Sequence, residues 1–218
     1  MESLNDFRVL LAYGDIHRPN HDEKAVGSLM KLIRDVKPDI VIDGGDMISA
    51  TCLSGFRKGA GDLTGLQAEL DADFEWRSEI NSIVPNAEKV ILRDNHFWRR
   101  LEDSKKDIHW AEDLKSLQPE ALLRLGECKW TLTRSWKWHN ILMFIHGDEK
   151  GGYMSSCDNP VNKVRRMVKS SKISIVRFHS HTTGIEMHRA HTGHPYFALQ
   201  LGTFEDPDKA GYIEQPDL

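Results

Sequence analysis

The chain has 218 residues, 39% apolar and 28% charged, the balance of a globular fold with one substantial core rather than of a disordered or fibrous chain. A net charge of -4 supplies no global basic field, so nucleic acid, if bound at all, has to be held by a local patch. Cys52, Cys128 and Cys157 cannot all pair and lack zinc-type spacing, no basic start followed by an apolar stretch opens the chain, and no apolar run approaches the ~18 residues of a membrane span, so a cytoplasmic setting without membrane is expected.

FRVLLAYG (7–14) reads as a first strand. Asp22 is a fitting N-cap for a helix whose apolar stripe is Ala25, Leu29, Leu32, Ile33 and Val36, ended by Pro38. DIVIDGG (39–45) is a second buried strand, and FRKGAGDLTG (56–65) is a glycine-rich loop. A long helix follows, with Leu63, Leu66, Leu70, Phe74, Ile80 and Val84 near its inner face and Pro85 closing it. KVILR (89–93) is a third strand, and the charged stretch 96–125 reads as short helices. KWTLTR (129–134) and NILMFIHG (140–147) are strands, and Pro160 to Lys169 is a basic amphipathic helix. ISIVRFH (173–179), GIEMHRA (184–190) and PYFALQLG (195–202) are expected to be antiparallel neighbours, because their connections are short. Strand–helix repeats followed by a meander indicate one layered α/β domain of mixed sheets.

Polar residues close one apolar strand after another. The first ends in Asp15-x-His17, the second in Asp46, the third in Asp94-Asn95-His96, and two later strands end in His146 and in His179-Ser180-His181. In an extended chain residues i and i+2 point to the same side, so Asp15 and His17 are expected to face one way. The carboxyl ends of strands in open α/β sheets are where ligands bind. Asp15, Asp46, Asn95 and five His gathered on one edge are costly to bury unless something satisfies them, and a metal cluster does. Mixed carboxylate and imidazole ligands suit Mn, Fe, Zn or Ni better than Mg or Ca.

The blocks GDIH (14–17), GGD (44–46), DNHF (94–97), IHG (145–147) and FHSH (178–181) resemble, in order, the D-x-H, G-D, G-N-H-D/E, H and G-H-x-H pattern of the calcineurin-like metallophosphoesterases, over about residues 8 to 202. The resemblance implies a single-domain, four-layer α/β-β/α sandwich of two mixed sheets flanked by helices, without a separate capping domain. It implies two divalent transition-metal ions, Mn first among them, with Asp15, His17 and His181 on one, Asn95, His146 and His179 on the other, and Asp46 bridging. It further implies hydrolysis of a phosphomonoester or phosphodiester by a hydroxide shared between the ions, with His96 over the phosphate as acid or charge stabiliser. A nuclease is the nearest alternative, and a noncatalytic interaction module on the same fold is the alternative of another class.

Three positions depart from the pattern. Asp94 stands where glycine is usual, and Asp tolerates left-handed backbone angles better than most residues. Phe97 replaces the acid that orients the motif histidine, so either His96 is a poorer acid or another carboxylate stands in. Phe178 replaces a glycine.

Other residues have a plainer reading beside the functional one. His21 either reaches the site or is a surface residue before the helix cap, and His109, His139, His188, His191 and His194 read as surface or hairpin residues. Trp98, Arg99 and Arg100 either line a substrate cleft or form a helix whose Trp packs inward under solvated arginines. Lys163, Arg165, Arg166, Lys169 and Lys172 read as a solvated helix face, and KWTLTRSWKWHN (129–140) as a hairpin that packs its aromatics on the domain or a partner chain or, alternatively, stacks nucleic acid. Cys52 has no matched base and reads as inert.

Overall fold

The computed structural model describes residues 8–54, 65–106, 108–148, 173–189 and 195–209. A parallel four-stranded sheet is formed by β1 (Leu10–Tyr13), β2 (Ile40–Asp43), β3 (Glu88–Leu92) and β4 (Thr131–Thr133), in that order. Helices α1 (Glu23–Val36) and α2 (Leu66–Ile83) supply the first two crossovers, and the short helices α3 (Arg100–Lys105), α4 (His109–Glu112), α5 (Pro119–Leu122) and α6 (Leu125–Cys128) lie in the third. Parallel neighbours need such long returns, so this sheet is parallel throughout and not mixed as expected. The second sheet is mixed and contains β5 (Ser135–Trp138), β6 (Leu142–Ile145), β7 (Ser174–Arg177), β9 (Pro195–Gln200) and β8 (Gly184–Arg189), in that order.

Two expectations about strand pairing are corrected. β7 and β8 are not neighbours: β9 lies between them, parallel to β7 and antiparallel to β8. β8 is therefore an edge strand, and Ile185 and Met187 on one of its faces are mostly exposed. The segment 129–140 is not a hairpin. β4 pairs with β3, β5 pairs with β6 in the other sheet, and only Arg134 separates them. Its tryptophans follow the two sheets. Trp130 is buried and donates from Nε1 to Asn81 on α2 (3.2 Å), and Trp136 packs on Phe144 and donates to Glu88 (2.8 Å).

The two sheets face each other across a core of Ile40, Ile42, Val90 and Leu92 from one side and Phe144, Val176 and Phe178 from the other. Alternate residues, Leu11, Val41 and Ile91, point to the opposite face of the parallel sheet and pack on α1 and α2. Asp22 caps α1, its carboxylate accepting from Lys24 and Ala25 N–H groups (2.8 and 3.1 Å). The stripe of α1 is rotated from the expected one: Val26, Leu29, Met30 and Ile33 are buried, while Leu32 and Val36 are exposed. α2 buries Leu70, Trp76 and Ile80 together with Glu69, Asp73 and Arg77, a charged row at i, i+4 spacing that the apolar pattern hides. Each member of that row has work in the core. Glu69 accepts from Ala50 N–H (2.7 Å), and Arg77 forks onto Asp73 (3.0 and 2.7 Å) and donates to the Leu123 carbonyl (2.7 Å). The helix expected over 160–169 lies outside the described residues.

Phe178, the first anomaly of the fifth block, is fully buried, with its ring over two glycines. A Cβ on Gly44 would come within 2.3 Å of that ring and one on Gly14 within 2.8 Å. The phenyl thus fills a space that only glycines at both strand ends leave open. Gly44→Ala is expected to destabilise the protein by about 1–3 kcal/mol, the usual cost of overpacking a closed core. Urea unfolding measures this, and an unchanged midpoint would show that the ring is free to move aside.

Candidate metal centre

Each ligand position of the sequence pattern lies just beyond a strand end. Asp15 and His17 follow β1, Asp46 follows β2, Asn95 follows β3, His146 follows β6, and His179 and His181 follow β7. The first two loops are laced together: Asp15 N–H donates to the Gly45 carbonyl and His17 N–H to the Asp46 carbonyl, both at 2.9 Å. The i, i+2 argument for Asp15 and His17 is not how they come to face one another. Both have φ of 54°, a left-handed conformation, and Ile16 between them is fully buried. Asp46 (52°), His179 (75°) and His181 (56°) are left-handed as well. Non-glycine residues held there cost on the order of 1–3 kcal/mol each, and such residues cluster at functional sites.

The side chains converge in three overlapping groups. Asp15, His17 and His181 form one; Asp46, His146 and His179 form another; His17, Asp46 and His96 form a third. Asp46 Oδ2 is the hub. Four imidazole nitrogens surround it: His146 Nε2 at 3.3 Å, His17 Nε2 at 3.9 Å, and His96 Nε2 and His179 Nδ1 at 4.0 Å. Asp46 Oδ2 and His179 Nδ1 are buried and have no hydrogen-bond partner. Orphaned atoms of this kind, a carboxylate oxygen among imidazoles, are the donor set that a borderline transition-metal cation satisfies. Asn95 joins the group through Oδ1, 2.9 Å from His146 Nε2, and His17 and His181 meet Nε2 to Nε2 at 2.9 Å. The cluster opens on a cavity of about 280 Å³ lined by Asp46, His96, His179, Ser180 and His181. The buried Asp and His groups can hold a metal ion.

Surrounding bonds set which atoms face inward. His146 Nδ1 lies 2.7 Å from the Gly44 carbonyl and so carries the proton there, leaving Nε2 for the centre. The Asp15 carboxylate accepts the His179 N–H at 3.1 and 3.0 Å, tying the fifth block to the first. Behind His181, Nδ1 meets Glu205 at 3.5 Å. Glu205 was not among the expected residues. The signal for it was a sixth strand end, since Glu205 follows β9 as the other groups follow theirs.

Charge is unevenly shared. Burial pushes the Asp15 carboxyl well up, and burial holds His17 down to about 3 and His181 to about 4, so both imidazoles are neutral. Burial also opposes charge on His146, but the Asp46 carboxylate beside it wins and raises it to about 10. Burial likewise opposes ionisation of Asp46, yet the surrounding imidazoles, His146 first, hold it well below the usual carboxylate range. A cation taking His146 Nε2 therefore has to displace a proton. Metal uptake is expected to release protons near neutral pH and to tighten as pH rises, by about tenfold per pH unit for each proton displaced. Manganese titrations at pH 6 and pH 8 in buffers of different ionisation enthalpy check this; equal affinities with no proton release contradict it.

The other departures also have a structural account. Asp94 is not left-handed: it is extended (φ -120°, ψ 178°), and its carboxylate caps a π-helical turn, Asn95–Arg99. It accepts from Phe97 and Trp98 N–H (2.9 and 2.8 Å) and, through the other oxygen, from Asp46 N–H (3.0 Å). It therefore holds two ligand loops at once. Phe97 is buried in the core, and among the described residues no carboxylate takes the place of the missing acid at His96 Nδ1. The Ser49 carbonyl takes that place at 3.2 Å, and Arg100 Nη1 donates to the same oxygen at 2.7 Å.

Outside the cluster, His21 pairs with Glu23 (3.3 Å) rather than with the centre. Cys52 is half-buried in the turn Thr51–Leu53 and belongs to none of the ligand groups. Arg100 turns inward to Ser49, Arg99 pairs with Asp148, and Trp98 lies under the Arg93 guanidinium, so neither reading of 98–100 holds whole. His139 is exposed, whereas the side chains of His109 and His188, the residues His191 and His194, and the 163–172 basic cluster lie outside the description. Among the described residues no helix is long and apolar enough to cross a membrane. No protein-family model matches the sequence, and no curated protein matches it.

Proposed function

We propose that the chain is a metal-dependent phosphoesterase of the calcineurin-like kind, on that family's four-layer fold. The observation that supports this most is the Asp46 Oδ2 atom, buried, unbonded and ringed by four imidazole nitrogens at 3.3 to 4.0 Å. Two divalent transition-metal ions, manganese first, fit the donors: Asp15, His17 and His181 for one, Asn95, His146 and His179 for the other, Asp46 between them. When bound, such a pair supplies a water acidified toward neutrality and neutralises charge on a phosphoryl group. The chain's own groups do the rest. His146 is fixed by the Gly44 carbonyl and His181 is backed by Glu205, so their rings are oriented before any ligand arrives. His96, partly exposed at the cavity, donates a proton to the leaving oxygen or stabilises charge beside it. All seven ligand positions are filled, which favours an enzyme over the interaction module.

The test is to load the purified protein with manganese, count bound metal by mass spectrometry, and assay p-nitrophenyl phosphate and bis-p-nitrophenyl phosphate. Two equivalents of metal with hydrolysis of either ester are expected. Metal bound without hydrolysis of any phosphoester would move the chain to the interaction-module class.

A further inference from the structure

The carboxyl ends of β1, β2 and β3 carry Asp15, Asp46 and Asn95, and the next strand in the sheet, β4, ends in Arg134. Arg134 shares a pocket of about 130 Å³ with Arg93, Asp94, Trp98, Arg99 and Asp148. The pocket is thus displaced by one strand along the edge that holds the metal ligands. Its walls continue the ligand loops: Asp94 directly precedes Asn95, and Asp148 follows His146 by two residues.

The lining is cationic in effect. Both of its carboxylates are engaged, Asp94 by three backbone N–H groups and Asp148 by Arg99. Arg93 and Arg134 have no carboxylate partner among the described residues. The Arg93 guanidinium lies over the Trp98 ring, 4.8 Å from its centroid, and its Nε is buried without a hydrogen-bond partner. Stacking on an indole fixes the guanidinium plane and leaves its N–H edge for a planar or tetrahedral oxyanion. Two guanidinium groups lining one pocket suit a phosphate, which accepts forked hydrogen bonds from both. The volume admits a phosphate and its linking atoms.

We propose that this pocket seats a second phosphate of the substrate, so that the chain acts on phosphoesters carrying at least two phosphates, one at the metal centre and one at Arg93 and Arg134. This rests on the phosphoesterase reading for the first phosphate but not for the pocket itself. A nucleoside bisphosphate and a short oligonucleotide strand both supply the chemistry.

Binding is tested first, without metal. Inorganic pyrophosphate is titrated calorimetrically into the metal-free protein and into Arg134→Gln, a change at an exposed side chain, with Arg93→Gln as a second variant. Each variant is expected to weaken binding about tenfold or more, the size of losing one charge-assisted pair. Arg34→Gln, on α1 and paired with Glu79, is the control and is expected to bind as wild type. Equal pyrophosphate affinity in wild type, Arg134→Gln and Arg93→Gln overturns the proposal. With manganese, the preference in kcat/KM for adenosine 3′,5′-bisphosphate or a trinucleotide over p-nitrophenyl phosphate is expected to fall about tenfold in Arg134→Gln, through KM. The better of the two substrates separates the small-molecule source from the strand. Arg134-dependent pyrophosphate binding by a protein that hydrolyses nothing would keep the pocket and discard the phosphoesterase reading.

Discussion

Asp46→Ala is expected to leave the protein unable to retain metal and to reduce phosphoester hydrolysis by at least about 1000-fold, the upper range for one charge-stabilising group. Four imidazole nitrogens are arranged about this carboxylate, and it carries the charge that keeps His146 protonated without metal. Without it, two cations would face each other with no anion between them, and neutral rings alone would not offset their repulsion. The backbone of the loop has other holds, because the Asp46 N–H still donates to Asp94 and its carbonyl still accepts from His17. Circular dichroism is therefore expected to match wild type while metal counting and p-nitrophenyl phosphate turnover collapse. A variant that keeps two equivalents of metal and its rate would show that the bridge lies elsewhere.

His96→Ala is expected to keep bound metal and to slow hydrolysis by about 100-fold. The loop it leans on does not depend on it. The Ser49 carbonyl keeps its bond from Arg100, and Ser49 N–H keeps its bond to the Arg18 carbonyl. The leaving group separates the two roles open to this histidine. Nitrophenolate departs without a proton, whereas an alkoxide needs one, so a proton donor matters far more for an alkyl phosphate. A larger loss on glycerol phosphate than on p-nitrophenyl phosphate identifies proton donation; equal losses identify charge stabilisation. Loss of the metal along with the ring would make His96 a ligand, in keeping with its place in the third group beside His17 and Asp46.

What could be read from the sequence was what each strand enforces locally. Apolar runs of four or five residues ending in Asp, Asn or His located the centre, because a strand interior excludes such groups and its end does not. Pairing was less accessible. β8 and β9 were legible as strands, but not that β9 would take the place beside β7, since that depends on which face must be covered by chain arriving later. Likewise Arg134 alone divides β4 from β5, and nothing in KWTLTRSWKWHN marks the passage from one sheet to the other. The support groups were hidden for a related reason. Ser49 acts through a backbone carbonyl that any residue possesses, and Glu205 acts on His181 from another strand end. Asp94 was visible only as a misfit in a glycine position, because its work is done by acceptors on groups distant in sequence, such as Asp46 N–H.

Two of the three ligand groups are drawn from both sheets, while His17, Asp46 and His96 all follow strands of the parallel one. Asp15 and His17 belong to the parallel sheet and His181 to the mixed one; Asp46 belongs to the first, and His146 and His179 to the second. Neither of those two groups is complete within one sheet, and the last contributors to the centre arrive more than 160 residues after the first. A nascent chain that has made only its first sheet is therefore left with the third group alone, however well that sheet has formed. If the proposed two-ion centre forms, filling it requires both halves to have met in register, and a chelator is expected to slow the rejoining of separately expressed halves cut between β4 and β5. A filled centre of this kind would distinguish a finished molecule from one that has merely collapsed.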